Sequence, residues 1–272
     1  MNYTYVRYGD HLPMVGVLQL LLNRTGLSLV PDGVFGGQTL AAVKSFQKLR
    51  GLVPDGAVGE NTWGSLTDGV CLPIVDCVDV WDPRLLSGDV RYLREVGGDP
   101  LVIGGMCNGV EQVVALLAHR KNVFLLRFHG HGDRGWAGVS VGQAELDPHS
   151  KEHSDIWANP KIKPVIMKIL GQLRWIFGLY GCVEFLGCET GRGKQGYQFL
   201  SQLANELHVP VIAGKHDQYF GRLQTFRVFG PTATAFPGGM NLRDWCKSRP
   251  PFAAKAEKEW HPRSVLGELK AA

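Results

Sequence analysis

The sequence predicts two domains, a small all-α three-helix module followed by an α/β domain whose mainly parallel central sheet is flanked by helices. Three observations carry that expectation. A turn signature repeats within the first seventy residues; a proline-bearing stretch from 67 to 83 has no helical period; beyond it, apolar runs of strand length alternate with stretches of helical period. With 272 residues, 44% of them hydrophobic and 20% charged, the chain has room for both cores.

The repeat comes first. Val30-Pro31-Asp32-Gly33-Val34-Phe35-Gly36-Gly37-Gln38-Thr39 returns as Val53-Pro54-Asp55-Gly56-Ala57-Val58-Gly59-Glu60-Asn61-Thr62. Asp-Gly supplies a tight turn, and Gln38-Thr39 and Asn61-Thr62 are expected to open helices by capping. Val15, Leu18, Leu21 and Leu22 keep helical spacing before the first copy, and Leu40, Val43, Phe46, Gln47 and Leu49 keep it between the copies. Trp63 and Leu66 are expected to close the core. Residues 9–68, with these repeated turns and the Ala42-Val43 and Phe46-Gln47 pairs, resemble the small peptidoglycan-binding domain joined to many bacterial and phage cell-wall enzymes. That resemblance implies cell-wall glycopeptide as a partner and no chemistry in the module itself; individually, Asp32, Phe35, Asp55 and Trp63 read as turn and core residues.

The expected boundaries are 1–69 for the module, 76–240 for the α/β domain and 241–272 for a polar, helical, peripheral extension. Residues 78–81 and 101–105 read as short strands, a helix with Val110, Val113, Val114, Leu116 and Leu117 follows, and 123–128 is the next strand. This is βαβ arithmetic and predicts parallel pairing. Then come a hairpin at 136–142, a polar loop at 143–162, a helix from Val165 to Phe177, a strand at 183–187, a helix through Leu207, a strand at 209–213 and a hairpin from 225–229 and 233–236.

Two apolar strands in this series end in glycines that carry reactive side chains. One, Val123-Phe124-Leu125-Leu126-Arg127-Phe128, runs into His129-Gly130-His131-Gly132-Asp133-Arg134-Gly135. The other, Val183-Glu184-Phe185-Leu186, runs into Gly187-Cys188-Glu189-Thr190-Gly191. In an open α/β sheet, ligands bind beyond the carboxyl ends of the strands, so His131 and Cys188 meet there if the strands are neighbours. Histidine first and cysteine second, each at the end of its own strand, resembles the caspase-like cysteine peptidases, the group of caspases, separases and gingipains, over residues 100–215. The resemblance implies a caspase-like fold with Cys188 as nucleophile, His131 as general base and acid, and the N–H groups of Gly132 and Cys188 around the oxyanion. Gly132 suits that role because a side chain there would crowd the substrate carbonyl. His129 is the second choice for the imidazole. Cys107 and Cys182 read as small buried apolar residues.

Other classes are weighed on the same residues. A net charge of +4 without a long basic run argues against nucleic acid. The apolar stretch from Val165 to Leu186 is broken by Lys168, Gln172 and Arg174, short of the ~18 apolar residues of a spanning helix. Residues 1–7 lack the basic start and apolar core of a secretory signal, so the expectation is a protein made in the cytoplasm that acts at the cell envelope after release or non-classical export. None of the 6 cysteines is spaced C-x-x-C, and reduced thiols are expected; Cys71 and Cys77 are close enough to pair only if the protein matures outside the cell. His129 and His131, with Asp133 or with His149, His153 and Asp155, offer zinc ligands without a His-Glu-x-x-His frame. Gly130 to Gly135 matches G-x-G-x-x-G but leads into a hairpin rather than a phosphate-binding helix, position 188 is Cys where a phosphate loop needs Gly, and no Gly-x-Ser-x-Gly elbow occurs.

The sequence therefore points to a cell-wall-targeted cysteine peptidase, without cofactor or metal, acting on a peptide or protein substrate. Arg127, Arg134 or Lys215 would favour an acidic side chain. The alternatives are a zinc-dependent peptidoglycan hydrolase and a catalytically silent protein that binds peptidoglycan or a partner.

Overall fold

The computed structural model describes residues 2–79, 82–104, 109–139, 155–157 and 163–255. They fall into two compact units. One takes in Tyr3–Cys71 together with the chain from Asn241, and the other Leu72–Met240 together with Asn2.

The first unit is helical: α1 (Pro13–Arg24), α2 (Gly37–Leu49) and α3 (Glu60–Leu66). Val15, Leu18, Leu21, Leu22, Phe35, Val43, Phe46, Trp63 and Leu66 are its buried core, at roughly 1.5–3 kcal/mol for each large side chain. The two repeat copies are held by matching clasps around a buried glutamine. Gln19 Nε2 donates to Asp32 Oδ1 (2.9 Å), Val34 O (3.2 Å) and Thr39 Oγ1 (3.1 Å), and Gln47 Nε2 donates to Asp55 Oδ1 (2.9 Å), Ala57 O (2.8 Å) and Thr62 Oγ1 (3.1 Å). The glutamine oxygens accept from Gly33 N (3.0 Å) and Gly56 N (2.9 Å) in turn. This corrects the capping expectation: the N-caps are Gly36 and Gly59, without a side-chain cap bond, and Thr39 and Thr62 belong to the clasps.

Residues 241–255 pack into this unit instead of lying at its periphery. A short helix (Leu242–Lys247) buries Trp245 and Cys246, and Cys246 sits so close to α1 that a Cβ on Gly16 would be 2.4 Å from its sulfur. Burial pushes the Cys246 thiol up to about 12. The tail then runs back along the end of α1, where Arg24 Nε donates to Ala253 O (2.9 Å). Residues 256–272 lie outside the described residues.

The second unit opens with β1 (Ile74–Asp79), α4 (Pro83–Glu95), β2 (Leu101–Ile103), α5 (Gly109–Leu117) and β3 (Val123–His129). A hairpin, β4 (Gly132–Asp133) and β5 (Trp136–Gly138), pairs with β6 (Asp155–Trp157) in a small three-stranded antiparallel sheet. Then follow α6 (Lys163–Leu170), a 3₁₀ turn (Gly171–Trp175), β7 (Phe177–Phe185), α7 (Gly193–Leu207), β8 (Val211–Gly214), α8 (Arg222–Thr225) and β9 (Thr232–Ala235). The six-stranded sheet runs β2-β1-β3-β7-β8-β9, and only the edge strand β9 is antiparallel to its neighbour.

Several local expectations change. The first strand is Ile74–Asp79, earlier than 78–81, and the amphipathic α4 behind it was not read, although Asp82-Pro83 is a start signal: Asp82 caps the helix and Pro83 takes the first turn. The hairpin turns at Arg134-Gly135, not at 136–142; residues 140–154 lie outside the described residues. The strand before Cys188 begins at Phe177, because Gly178 and Gly181 let the backbone lie against Asn122 and Val123 where a side chain would collide. Residues 225–229 form no strand. The short α8 ends at Thr225, residues 226–229 are turn and irregular backbone, and β9 joins the main sheet instead of an appended hairpin.

One sheet face is apolar. Val75, Cys77, Leu126, Phe128, Val183, Phe185, Val211 and Ala213 meet residues of α5, α6 and α7 in a single core, with Phe128 and Phe185 stacked at 5.1 Å across adjacent strands. On the opposite face, register places Asp76, Arg127 and Glu184 side by side on β1, β3 and β7. All three are buried. No helix among the described residues is long and apolar enough to cross a membrane.

Candidate active site

Because β3 and β7 are parallel neighbours, the loops that follow them leave the sheet at the same edge. There, His131 and Cys188 line one cavity of about 180 Å³. Its wall also takes Asp82, Leu85 and Asp89 from the chain after β1, Leu186, and Gln218, Tyr219 and Phe220 from the chain after β8. The cavity thus sits beyond the carboxyl ends of the central strands, beside the point where the order turns from β1 to β3.

Two glycines bring the loops together. A Cβ on Gly132 would stand 2.2 Å from Thr190 Oγ1 and 3.1 Å from the Cys188 carbonyl oxygen, and a Cβ on Gly187 would stand 3.0 Å from Gly132 N. The glycine at 132 is therefore demanded by the cysteine turn packed against it, a reason that stands before any bound carbonyl. Thr190, fully buried, donates to Trp136 O (3.1 Å), and its own carbonyl accepts from Gly135 N (3.2 Å), tying the cysteine turn to the β4–β5 hairpin. Gly138 N donates to His131 O (2.9 Å) and holds the histidine end of the same hairpin. Thr190 escaped sequence reasoning; its only signal was its place in Gly-Cys-Glu-Thr-Gly.

His131 is half-exposed, with Nε2 3.8 Å from Asp82 Oδ2. The other Asp82 oxygen caps α4, accepting from Arg84 N (2.9 Å) and Leu85 N (3.4 Å). The Arg84 N–H bond is the main reason that this carboxyl lies below the usual carboxylate range. A fixed anion thus faces the imidazole. Cys188 is half-buried; its Sγ accepts the Gln218 N–H (3.2 Å) and donates to the Gln218 carbonyl (3.6 Å). The residue after it, Glu189, takes the left-handed backbone conformation (φ 49°), and its carboxylate is held by Arg134 (3.1 Å) and by Arg192.

His129, the second choice, is 1% exposed and has each ring nitrogen on a carboxylate, Nδ1 to Asp89 (3.0 Å) and Nε2 to Asp76 (2.8 Å). Burial alone would lower it, but the two carboxylate hydrogen bonds push it up to about 9. It is a structural cation in the cavity floor and has no nitrogen left for a thiol. Asp76, which burial would raise, is held well below the usual range by Arg127 and His129. Arg127 is fully buried, bonded to Asp76 through Nε (2.5 Å) and Nη2 (3.1 Å), and Nη2 also reaches Asn2 Oδ1 (3.1 Å). Arg127 is therefore consumed by a buried carboxylate and does not read an acidic substrate, whereas Arg134 is half-exposed, pairs with Glu189 and does not line the cavity. Lys215 is exposed and does not line the cavity. Cys182 is fully buried with its thiol raised by burial, and Cys71 and Cys77 are unpaired. Cys107, His149 and His153 lie outside the described residues, among which no three His, Cys, Asp or Glu side chains gather to hold a metal ion.

Comparison with known proteins bears on the first unit. Residues 12–66 match the family model described as "Putative peptidoglycan binding domain". The N-terminal region is a peptidoglycan-binding domain. The chain is also 60% identical over 35 residues to the "Uncharacterized protein in bpoA1 3'region" of Kitasatospora aureofaciens; that stretch is 13% of this chain and 30% of the relative. An α/β domain with a mostly parallel sheet follows the peptidoglycan-binding domain.

Proposed function

We propose that the α/β domain is a caspase-like cysteine peptidase that the N-terminal domain brings to peptidoglycan, where it cleaves a peptide bond in a protein or a wall peptide. The observation that carries this reading is one cavity lined by His131 and Cys188, delivered by adjacent parallel strands in the order histidine, then cysteine. In the reaction, Cys188 Sγ attacks the substrate carbonyl carbon while the thiol proton passes to the His131 imidazole, and the N–H groups of Gly132 and Cys188 receive the carbonyl oxygen as it gains charge. His131 returns the proton to the departing amine, leaving a thioester on Cys188. Water, deprotonated by His131, then hydrolyses the thioester and restores the thiol. Asp82, fixed by its cap bonds, favours the imidazolium that forms between these steps. The proposed place of action is the cell envelope, where peptidoglycan lies.

The test is labelling of the intact protein with a limiting thiol-reactive probe, wild type beside His131→Ala and Cys188→Ala, the modified cysteine being located by mass spectrometry. Rapid labelling of Cys188 that slows in His131→Ala is the expected result, followed by cleavage in a screen of peptides and wall fragments that Cys188→Ala abolishes. Equal, slow labelling of every cysteine in the wild type would overturn the reading.

A further inference from the structure

Among the described residues, the hydrogen bonds of Cys188 Sγ run to a single residue, Gln218, and both use its main chain. The side chain of that same residue ties the neck of the segment after β8. Its Nε2 donates to His216 O (2.9 Å), Asp217 O (3.3 Å) and Phe229 O (3.0 Å), and its Oε1 accepts from Phe229 N (2.7 Å). The amide is packed so tightly that a Cβ on Gly214 would stand 2.3 Å from Nε2. Glu189 N donates to His216 O (3.1 Å), binding the segment to the cysteine turn a second time. On the cavity side, Tyr219 and Phe220 line the wall and are 62% and 53% exposed, so a substrate entering the cavity meets these two rings.

We propose that Gln218 is a positioning residue that parks the Cys188 thiol, and that substrate seated against Tyr219 and Phe220 displaces segment 215–229 and releases the sulfur for attack. The inference rests on the peptidase reading. A thiol whose proton points at a carbonyl cannot in the same arrangement hand that proton to an imidazole, and the accepted N–H ties one of the two sulfur lone pairs to the loop. The bond to the carbonyl must break before the chemistry, and loosening the N–H bond frees the sulfur to turn toward a substrate carbon. The side-chain amide of Gln218 sets how easily they break, because it holds the loop that carries them, and apolar contact of the substrate with the two rings offsets their loss.

Iodoacetamide alkylation of the full chain, resolved by cysteine, tests this. Gln218→Ala removes the four side-chain bonds, and Cys188 is expected to alkylate about tenfold faster than in the wild type, with Gln218→Asn between the two because its shorter amide spans less of the neck. Cys77 and Cys182, both buried, must stay unlabelled, which separates release of the thiol from general loosening of the fold. A Cys188 rate equal to or slower than the wild type in both variants would overturn the positioning role. Hydrogen exchange gives a second readout that needs no variant: amides of 215–229 are expected to exchange faster once Cys188 is alkylated, and unchanged exchange would count against the proposal. His131→Ala separates the two readings. Slowing by His131→Ala without acceleration by Gln218→Ala keeps the dyad and removes the positioning role; acceleration by Gln218→Ala with no effect of His131→Ala leaves the parked thiol and removes the dyad.

Discussion

The two faces of the central sheet are built on opposite principles. On one, Leu126 and Phe128 of β3 enter a continuous apolar core in which Phe185 also meets Phe199 at 5.6 Å. On the other, the alternate residues Arg127 and His129 of the same strand lie in a row of buried charge with Asp76, Asp89 and Glu184. A parallel strand buried on both faces is ordinarily apolar throughout. The charged face teaches where the site's support lies: His129 and Asp89 both line the cavity, so the network that binds β1, β3 and α4 together is also the floor beneath His131. Thr225 Oγ1, donating to Asp89 Oδ1 (2.6 Å), adds the chain after β8 to the same network. A side chain lost from the apolar face leaves a cavity, whereas one lost from the charged face leaves a partner without its counter-charge.

The sharpest way to break that contrast is Arg127→Ala beside Leu126→Ala. Removing one member of a buried ion pair leaves the Asp76 carboxylate without its main counter-charge, a cost of about 3–5 kcal/mol, against about 2–5 kcal/mol for a buried leucine. Urea midpoints measure both. The distinguishing result is rescue: Arg127→Met combined with Asp76→Asn is expected to recover part of the loss, since it removes the stranded charge and leaves an acceptor for His129 Nε2. A double variant no better than Arg127→Ala would mean that the charges are needed for more than each other's neutrality.

The second break is by pH. The folded value of His129 is raised from 6.5 to about 9, so the folded state holds this proton more tightly than the unfolded chain. Its contribution is fully present below about 6.5 and is lost as pH rises through about 9, on the order of a few kcal/mol. Glu184 runs in the same sense, since burial raises its carboxyl above the usual carboxylate range. The stability of the α/β domain is therefore expected to fall between pH 6.5 and 9, and His129→Gln to flatten that fall, read as denaturation midpoints across the range. Curves of equal slope for the two proteins would contradict the assignment of the charge to His129.

The peptidoglycan-binding domain sharpens the comparison from outside the sheet. Its clasps at Gln19 and Gln47 hold their turns with uncharged amide donors, so Gln47→Ala is expected to cost about 1–3 kcal/mol, mainly from the buried partners left unsatisfied, with little change between pH 6.5 and 9. A cost of Gln47→Ala that changes with pH over that range as the stability of the α/β domain does would count against this reading of the clasp.

These contrasts also explain what could be read from the chain beforehand. The repeated Asp-Gly-x-x-Gly turns made the helical domain legible because local turn chemistry and spacing determine it, and the apolar runs of β3 and β7 made the parallel sheet legible through the cores they fill. The network at Asp76, Arg127, His129 and Asp89 was not legible, because its members are far apart in sequence and each alone looks like a surface residue; Arg127 in particular looked like a substrate reader. The location of His131 and Cys188 followed from strand ends, while Asp82, Thr190 and Gln218 depend on loop paths that no local period encodes. The expected edge hairpin failed for a related reason: Thr225-Phe226-Arg227-Val228-Phe229 alternates like a strand, but Thr225 and Phe226 are buried at the end of α8, and Val228 N is turned inward to Glu184 Oε1 (3.3 Å).

Asp82 offers the smallest effect and the finest separation, because one carboxylate serves two neighbours. Its Oδ1 caps α4 and its Oδ2 faces His131 at 3.8 Å. Asp82→Ala loses both functions and is expected to lower stability by about 1 kcal/mol through the cap. Asp82→Asn keeps a capping oxygen and removes the charge, so its melting midpoint is expected within a few tenths of a kcal/mol of the wild type. If the carboxylate favours the imidazolium, both variants slow Cys188 labelling alike while only the alanine variant melts earlier. Slowing confined to Asp82→Ala would instead assign the effect to the displaced start of α4, making the charge incidental and the helix cap the feature that shapes this wall of the cavity.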